Sequence, residues 1–152
     1  MVKMNPKNIM IAVFLGVLIL GVLLTSVCIQ TKTNTVKSET QIQIIKNITS
    51  EGAYILIQEN KDNPNFVILD VRTPEEFLGE HIENAVNLDY YSDTFRNDLD
   101  KLDKNKTYLI YCRSGGRSEN ALNIMEELDF REFYNMLDGI NKWKSEGLTT
   151  TK

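Results

Sequence analysis

Two apolar runs constrain the fold of this chain most: FVILDV from Phe66 to Val71, and TYLIY from Thr107 to Tyr111. Both are short, rich in β-branched and aromatic residues, and nearly continuous, which is the pattern of strands covered on both faces. Helical signals stand between and behind them. Thr73-Pro74-Glu75-Glu76 supplies a hydroxyl cap, a proline at the first helical position and acids against the positive end of the helix dipole. Ala121, Leu122, Met125 and Leu128 share one face at helical spacing. Gln41–Ile45 alternates as a short strand, and Thr49-Ser50-Glu51 caps a helix running through Tyr54, Ile55 and Ile57. Ala85–Leu88 reads as a short strand, Phe95–Leu102 as a short helix, and Phe133–Met136 as a last strand before a helix holding Ile140 and Trp143. This alternation predicts an α/β domain with a largely parallel central sheet and helices on both faces.

The first part of the chain is different in kind. No charged residue occurs between Lys7 and Lys32, and Ile9 to Val27 is almost purely apolar, long enough for a bilayer-spanning helix. Residues 1–29 are therefore read as a membrane anchor or signal segment, residues 30–40 as a polar linker, and residues 41–152 as the globular domain. A single-pass N-terminal anchor with the domain outside the cytoplasm is the expected arrangement, since a short basic tail with Lys3 and Lys7 precedes the apolar run. The competing readings are a cleaved secretory signal and lipid attachment at Cys28, which follows the apolar run in the manner of a lipoprotein signal.

Composition narrows the function classes. The formal net charge is -4 and there is no basic run, so nucleic acid is not an expected partner. The chain has 2 cysteines and 1 histidine. Only Cys112 lies in the globular part, so an internal disulfide cannot form there and a zinc site lacks ligands.

Cys112 closes the second strand and opens the segment Cys112-Arg113-Ser114-Gly115-Gly116-Arg117-Ser118. In parallel sheets ligands gather at the carboxyl ends of strands. Glycines allow the chain to bend there, and a helix starting near Arg117–Ser118 would turn its free N–H groups back on the loop. With Arg113 and Arg117 adding positive charge, every feature favours a thiolate at Cys112 and an anion beside it. The bland alternative, a buried structural cysteine, leaves two arginines and two glycines within five residues without a reason.

The segment YCRSGGRS (Tyr111 to Ser118) resembles the active-site loop C-R-x-G-x-R of rhodanese-domain sulfurtransferases. LDVRTPEEF (Leu69–Phe77), EHIENAVNL (Glu80–Leu88) and LDGINKWKSEGL (Leu137–Leu148) are similar to three further motifs of that family, in the same order. Departures fall outside the loop: Glu80, Asn84 and Asp138 stand where glycine is usual.

The resemblance implies a rhodanese-like fold and a cofactor-free, two-step sulfur transfer. Cys112 would be the nucleophile, taking sulfur from a small anionic donor such as thiosulfate and passing it to cyanide or a thiol. Backbone N–H groups from Arg113 to Ser118 would surround the persulfide, and Arg117 would hold the donor's anionic end. Asp70 and Arg72 are read as a supporting ion pair near the loop, Glu76 as a helix-start residue, and His81 and Trp143 as structural. Two other readings compete. A phosphatase or arsenate reductase of the dual-specificity type uses a longer C-x5-R loop than the C-x4-R present here. A non-catalytic or sulfur-carrying interaction module on a membrane complex would load sulfur but turn over slowly.

Overall fold

The computed structural model describes residues 42–152. The expected anchor (1–29), the linker (30–40) and Cys28 lie outside the described residues. Among the described residues, no helix is long and apolar enough to cross a membrane.

Ten elements alternate along the domain: β1 (Ile44–Ile48), α1 (Ser50–Glu59), β2 (Phe66–Asp70), α2 (Pro74–Gly79), β3 (Ala85–Asn87), α3 (Phe95–Asp100), β4 (Thr107–Tyr111), α4 (Gly116–Glu127), β5 (Glu132–Met136) and α5 (Gly139–Ser145). The five strands form one sheet in the order β1-β5-β4-β2-β3, and every pairing is parallel. β4 sits at its centre, so the residue that follows it emerges at the middle of the sheet's carboxyl edge.

Alternate residues of the central strand feed two separate cores. Tyr108 and Ile110 pack with Phe95, Leu99, Ala121 and Met125 from α3 and α4. Leu109 and Tyr111 pack with Ala53, Ile140 and Trp143 from α1 and α5. Both faces of β4 are therefore covered, which is why its sequence shows no polar alternation. The side chains of Tyr108, Leu109, Ile110 and Tyr111 are each almost wholly removed from water, and burying one such side chain stabilises the fold by about 1.5–3 kcal/mol.

Helix starts follow the sequence signals. Thr49 accepts from the Gly52 N–H at the start of α1. At α2, Thr73 and Glu76 form a full capping box behind Pro74. The first strand departs from expectation, lying at Ile44–Ile48 rather than Gln41–Ile45. Its position is set by long-range pairing, from Ile44 opposite Glu132 to Ile48 opposite Met136. The side-chain amide of Gln43 also donates to the carbonyls of Glu126 and Phe130, at 3.0 and 3.1 Å, which fixes where the chain enters the sheet. The polar–apolar alternation of Gln41–Ile45 carries no information on such a distant partner.

Candidate active site

Cys112 follows β4 directly and is only 1% exposed. The chain then turns through Arg113, Ser114 and Gly115 into α4. Gly115 occupies the cap position of that helix with φ of 101°, a conformation that disfavours any side chain, and an added Cβ would lie 3.3 Å from the Asp138 backbone nitrogen. This turn points N–H groups inward. The Gly115 N–H donates to Cys112 Sγ at 3.1 Å, and the Ser118 hydroxyl lies 3.6 Å from the same sulfur. That hydroxyl is also 2.9 Å from the Gly115 carbonyl oxygen, so its one proton is shared between two acceptors.

Two effects compete at the thiol. Burial alone pushes its pKa up, because a charged sulfur loses water. The Ser118 backbone N–H and hydroxyl, with the backbone N–H groups of Ser114 and Gly115, stabilise the charged form and win, so the pKa lies below that of an ordinary cysteine.

The loop is held from behind by α5. The N–H groups of Ile140 and Asn141 donate to the carbonyls of Cys112 and Arg113 at 2.8 and 3.1 Å. Those N–H groups belong to the unpaired first turn of a helix whose cap residue, Asp138, offers no side-chain bond. The contact needs Gly139. It carries φ of 58°, and a Cβ there would lie 2.4 Å from the Cys112 carbonyl oxygen and within 2.7 Å of two Arg113 backbone atoms. Two of the three departures from family glycines also become intelligible. Asn84 and Asp138 adopt φ of 63° and 60°, a region Asn and Asp tolerate better than other non-glycine residues. Glu80 has φ of -168°, extended backbone that needs no glycine.

Asp70 and Arg72 form the expected ion pair, both buried. Arg72 Nε and Nη2 donate to the carboxylate at 2.7–3.0 Å, and the Arg72 N–H adds a bond of 2.9 Å to Asp70 Oδ1. The Asn87 side-chain amide, which the sequence did not single out, donates to the carbonyls of Asp70 and Arg72 at 3.0 and 2.8 Å. The Val71 N–H donates to the Tyr111 carbonyl, so this network abuts the residue just before Cys112. His81 stacks on Phe77 with ring centroids 3.9 Å apart, and its Nδ1 lies 3.0 Å from the Phe77 carbonyl. Trp143 is buried and donates to the Thr149 carbonyl. Trp143 thus lies in the core, as expected, while His81 packs against α2.

The two arginines of the loop are not equivalent. Arg113 is exposed and has no ion-pair partner among the described residues. Arg117 is engaged by Glu76: Nη1 donates to Oε2 at 2.7 Å and Nη2 to Oε1 at 3.0 Å, a two-pronged pair. The exposed Tyr91 ring lies against the guanidinium, 5.4 Å from centroid to Cζ. From the sequence, Arg117 is expected to act as an anion ligand and Glu76 only to start a helix. The capping signal at Thr73 was legible, but the Glu76–Arg117 pair joins positions 41 residues apart and leaves no local trace.

A cleft of about 430 Å³ opens beside the loop, lined in part by Arg72, Glu75, Glu76, Glu80, Arg113 and Lys144. No group of three or more metal-ligating side chains is found among the described residues.

The rhodanese-like domain family model matches residues 55–146. The chain is 30% identical over 105 residues to the thiosulfate sulfurtransferase GlpE of Coxiella burnetii, covering 69% of this chain and 92% of that protein. A sulfurtransferase of Allochromatium vinosum matches at 30% over 105 residues, covering 69% and 94%. A 33% match over 96 residues covers 63% of this chain but only 52% of an uncharacterised Synechocystis protein, slr1261. The crystal structure of a rhodanese-like domain protein from Staphylococcus aureus superposes with a TM-score of 0.56 at 30% identity, over 70% of this chain and 99% of that one. With these matches spanning the strand–loop–helix unit that presents Cys112, the chain belongs to the rhodanese-like domain family.

Proposed function

We propose that this protein is a sulfurtransferase in which Cys112 carries sulfur as a persulfide. The observation that carries the reading is the cradle around the sulfur: a buried thiol, set at the carboxyl end of the central strand, receives N–H groups that favour its ionised form. Relatives named thiosulfate sulfurtransferase and sulfurtransferase support the same reading.

In the first step the Cys112 thiolate attacks the outer sulfur of a donor. With thiosulfate, the sulfur–sulfur bond of the donor breaks, sulfite leaves with the electron pair, and Cys112 becomes a persulfide anion. In the second step cyanide or a thiolate attacks the outer persulfide sulfur, releasing thiocyanate or a new persulfide and restoring the thiolate. Charge balances in both steps, and neither metal nor organic cofactor takes part.

The residues of the loop divide this work. The backbone N–H groups of Ser114, Gly115 and Ser118 hold negative charge on sulfur, and prepositioned donors of this kind typically contribute about 3–4 kcal/mol each where charge develops. Gly116 begins α4, so its conformation and that of Gly115 set where those N–H groups point. Arg113 offers its free charge to the incoming anion. Asp70 and Arg72 brace the loop from below. The loop from Cys112 to Arg117 is C-x4-R, one residue shorter than the C-x5-R loop that surrounds a tetrahedral oxyanion, which disfavours phosphatase chemistry. By the same proposal residues 1–29 tether the domain to a bilayer, an assignment that rests on the sequence.

Steady-state turnover of the full chain with thiosulfate and cyanide tests the reading. Thiocyanate formation that disappears in Cys112→Ser is expected. Hydrolysis of a phosphate ester without thiocyanate would overturn it. A persulfide that loads but does not turn over would favour a sulfur-carrying module.

A further inference from the structure

The Glu76–Arg117 pair bears on which sulfur donors the site accepts, an inference that rests on the sulfur-transfer reading. Several observations define it. Glu76 belongs to α2, and the capping box with Thr73 fixes its carboxylate. Both prongs of the Arg117 guanidinium end on that carboxylate, and the Tyr91 ring lies over the same group. Hydrogen bonding from Arg117 holds the Glu76 pKa at about 2, so the carboxylate is charged at any working pH.

The other charges around the loop cancel in the same way. Arg72 is spent on Asp70, and Lys144 on Glu80. Among the described residues that line the cleft, Arg113 is the cation without an ion-pair partner, while Glu75 is a carboxylate without one. A loop that carries two arginines in sequence thus presents one uncompensated positive charge in space.

We propose that Glu76 is a selectivity-setting positioning residue: by neutralising Arg117 it leaves Arg113 as the cation that meets the donor, and so favours sulfur donors of single negative charge or none over dianions. Thiosulfate, a dianion, then reacts at high concentration without being the charge type the site fits best. The pair also holds the Arg117 side chain against Tyr91.

The direct test uses alkylation of Cys112, which needs no sulfur transfer. Rates are measured on the full chain with iodoacetate, an anion, and iodoacetamide, which is neutral but otherwise similar. Their ratio reads charge at the mouth of the site and cancels any change in fold or in thiolate content. A unit charge a few ångströms from a wet reacting centre is worth about three- to tenfold in such a ratio. Glu76→Gln, which keeps an acceptor oxygen for Thr73, is expected to raise the anion-to-neutral ratio by about that factor. Arg117→Gln is expected to lower it by a similar factor, because Glu76 then stands uncompensated. The double variant, having lost a neutral pair, is expected to return to within about twofold of the starting protein. Arg113→Gln is expected to lower the ratio as far as Arg117→Gln does.

If Arg117 itself met incoming anions, the double variant would stay as low as Arg117→Gln and Glu76→Gln would change little; that pattern overturns the proposal. In turnover, Glu76→Gln should lower KM for thiosulfate about three- to tenfold, with a smaller effect on a singly charged organic thiosulfonate. Equal effects on both donors would also overturn it. Alkylation ratios that move as stated in a protein that never loads sulfur would count against the sulfurtransferase reading alone.

Discussion

Gly139 offers the sharpest perturbation of the loop, because its neighbours are backbone atoms that cannot rotate away. Alanine at this position meets two penalties. The first is conformational: φ of 58° is left-handed, which costs an L residue with a Cβ about 1–2 kcal/mol. The second is steric: the new Cβ would lie 2.4 Å from the Cys112 carbonyl oxygen and 2.6 Å from the Arg113 carbonyl carbon. Relief requires the loop and the start of α5 to separate, straining the Ile140–Cys112 and Asn141–Arg113 hydrogen bonds, and overpacking of this kind costs about 1–3 kcal/mol. Together they give about 2–5 kcal/mol, a large share of the roughly 5–15 kcal/mol that holds a domain folded.

Two other glycines calibrate the measurement. Gly147 has φ of 76° and open space around its would-be Cβ, so Gly147→Ala isolates the conformational part. Gly79 has neither a positive φ nor a neighbour within 4 Å, so Gly79→Ala should be nearly neutral. Urea unfolding of the three variants of the full chain, followed by far-ultraviolet circular dichroism, should rank them Gly79, Gly147, Gly139 in increasing cost. The Gly139→Ala loss should exceed that of Gly147→Ala by at least about 1 kcal/mol. The iodoacetamide reactivity of Cys112 should change in Gly139→Ala alone. A Gly139→Ala variant that unfolds with Gly147→Ala and keeps normal thiol reactivity would refute the claim that α5 holds the loop in place.

Other outcomes follow from the same geometry. Ser118→Ala removes one hydrogen bond to the charged sulfur, so the midpoint of Cys112 alkylation against pH should move up and the rate in mildly acidic buffer should fall about three- to tenfold; an unchanged midpoint would show that the backbone N–H groups suffice. Asp70→Asn strands the buried Arg72 charge and should cost about 3–5 kcal/mol in denaturant unfolding, far more than loss of an exposed pair such as Arg96–Glu127. Glu76, lowered from 4.5 to about 2 in the folded state, binds its proton more readily when unfolded. Its contribution, about 1–3 kcal/mol, is therefore complete above pH 4.5 and lost as pH falls towards 2. The stability gap between the parent chain and Glu76→Gln should close over that interval, and a gap independent of pH would contradict the pairing.

The sequence was most legible where structure is local. The continuous apolar character of FVILDV and TYLIY reported two-sided burial, and Thr73-Pro74-Glu75-Glu76 reported a helix start with its capping box. The loop was legible because all of its parts are adjacent in the chain: thiol, glycine turn and helix N-terminus fall within the stretch from Cys112 to Ser118. What escaped depends on pairs distant in sequence. Glu76 looked like any first-turn acid, and nothing near it indicates that Arg117 would fold against it. Asn87 serves Asp70 and Arg72 through its amide, yet sits in a strand fragment with no distinguishing pattern. The placement of β1 at Ile44–Ile48 was likewise settled by its partner β5 rather than by its own alternation.

Sulfur transfer by this route requires that Cys112 hold sulfur covalently. Its most direct test is the intact mass of the full chain after brief exposure to thiosulfate, before and after cyanide. A chain heavier by one sulfur atom is expected, returned to its original mass by cyanide, with no such change in Cys112→Ser. A mass that thiosulfate and other sulfane-sulfur donors leave unaltered, or an added sulfur that persists in Cys112→Ser, would contradict it.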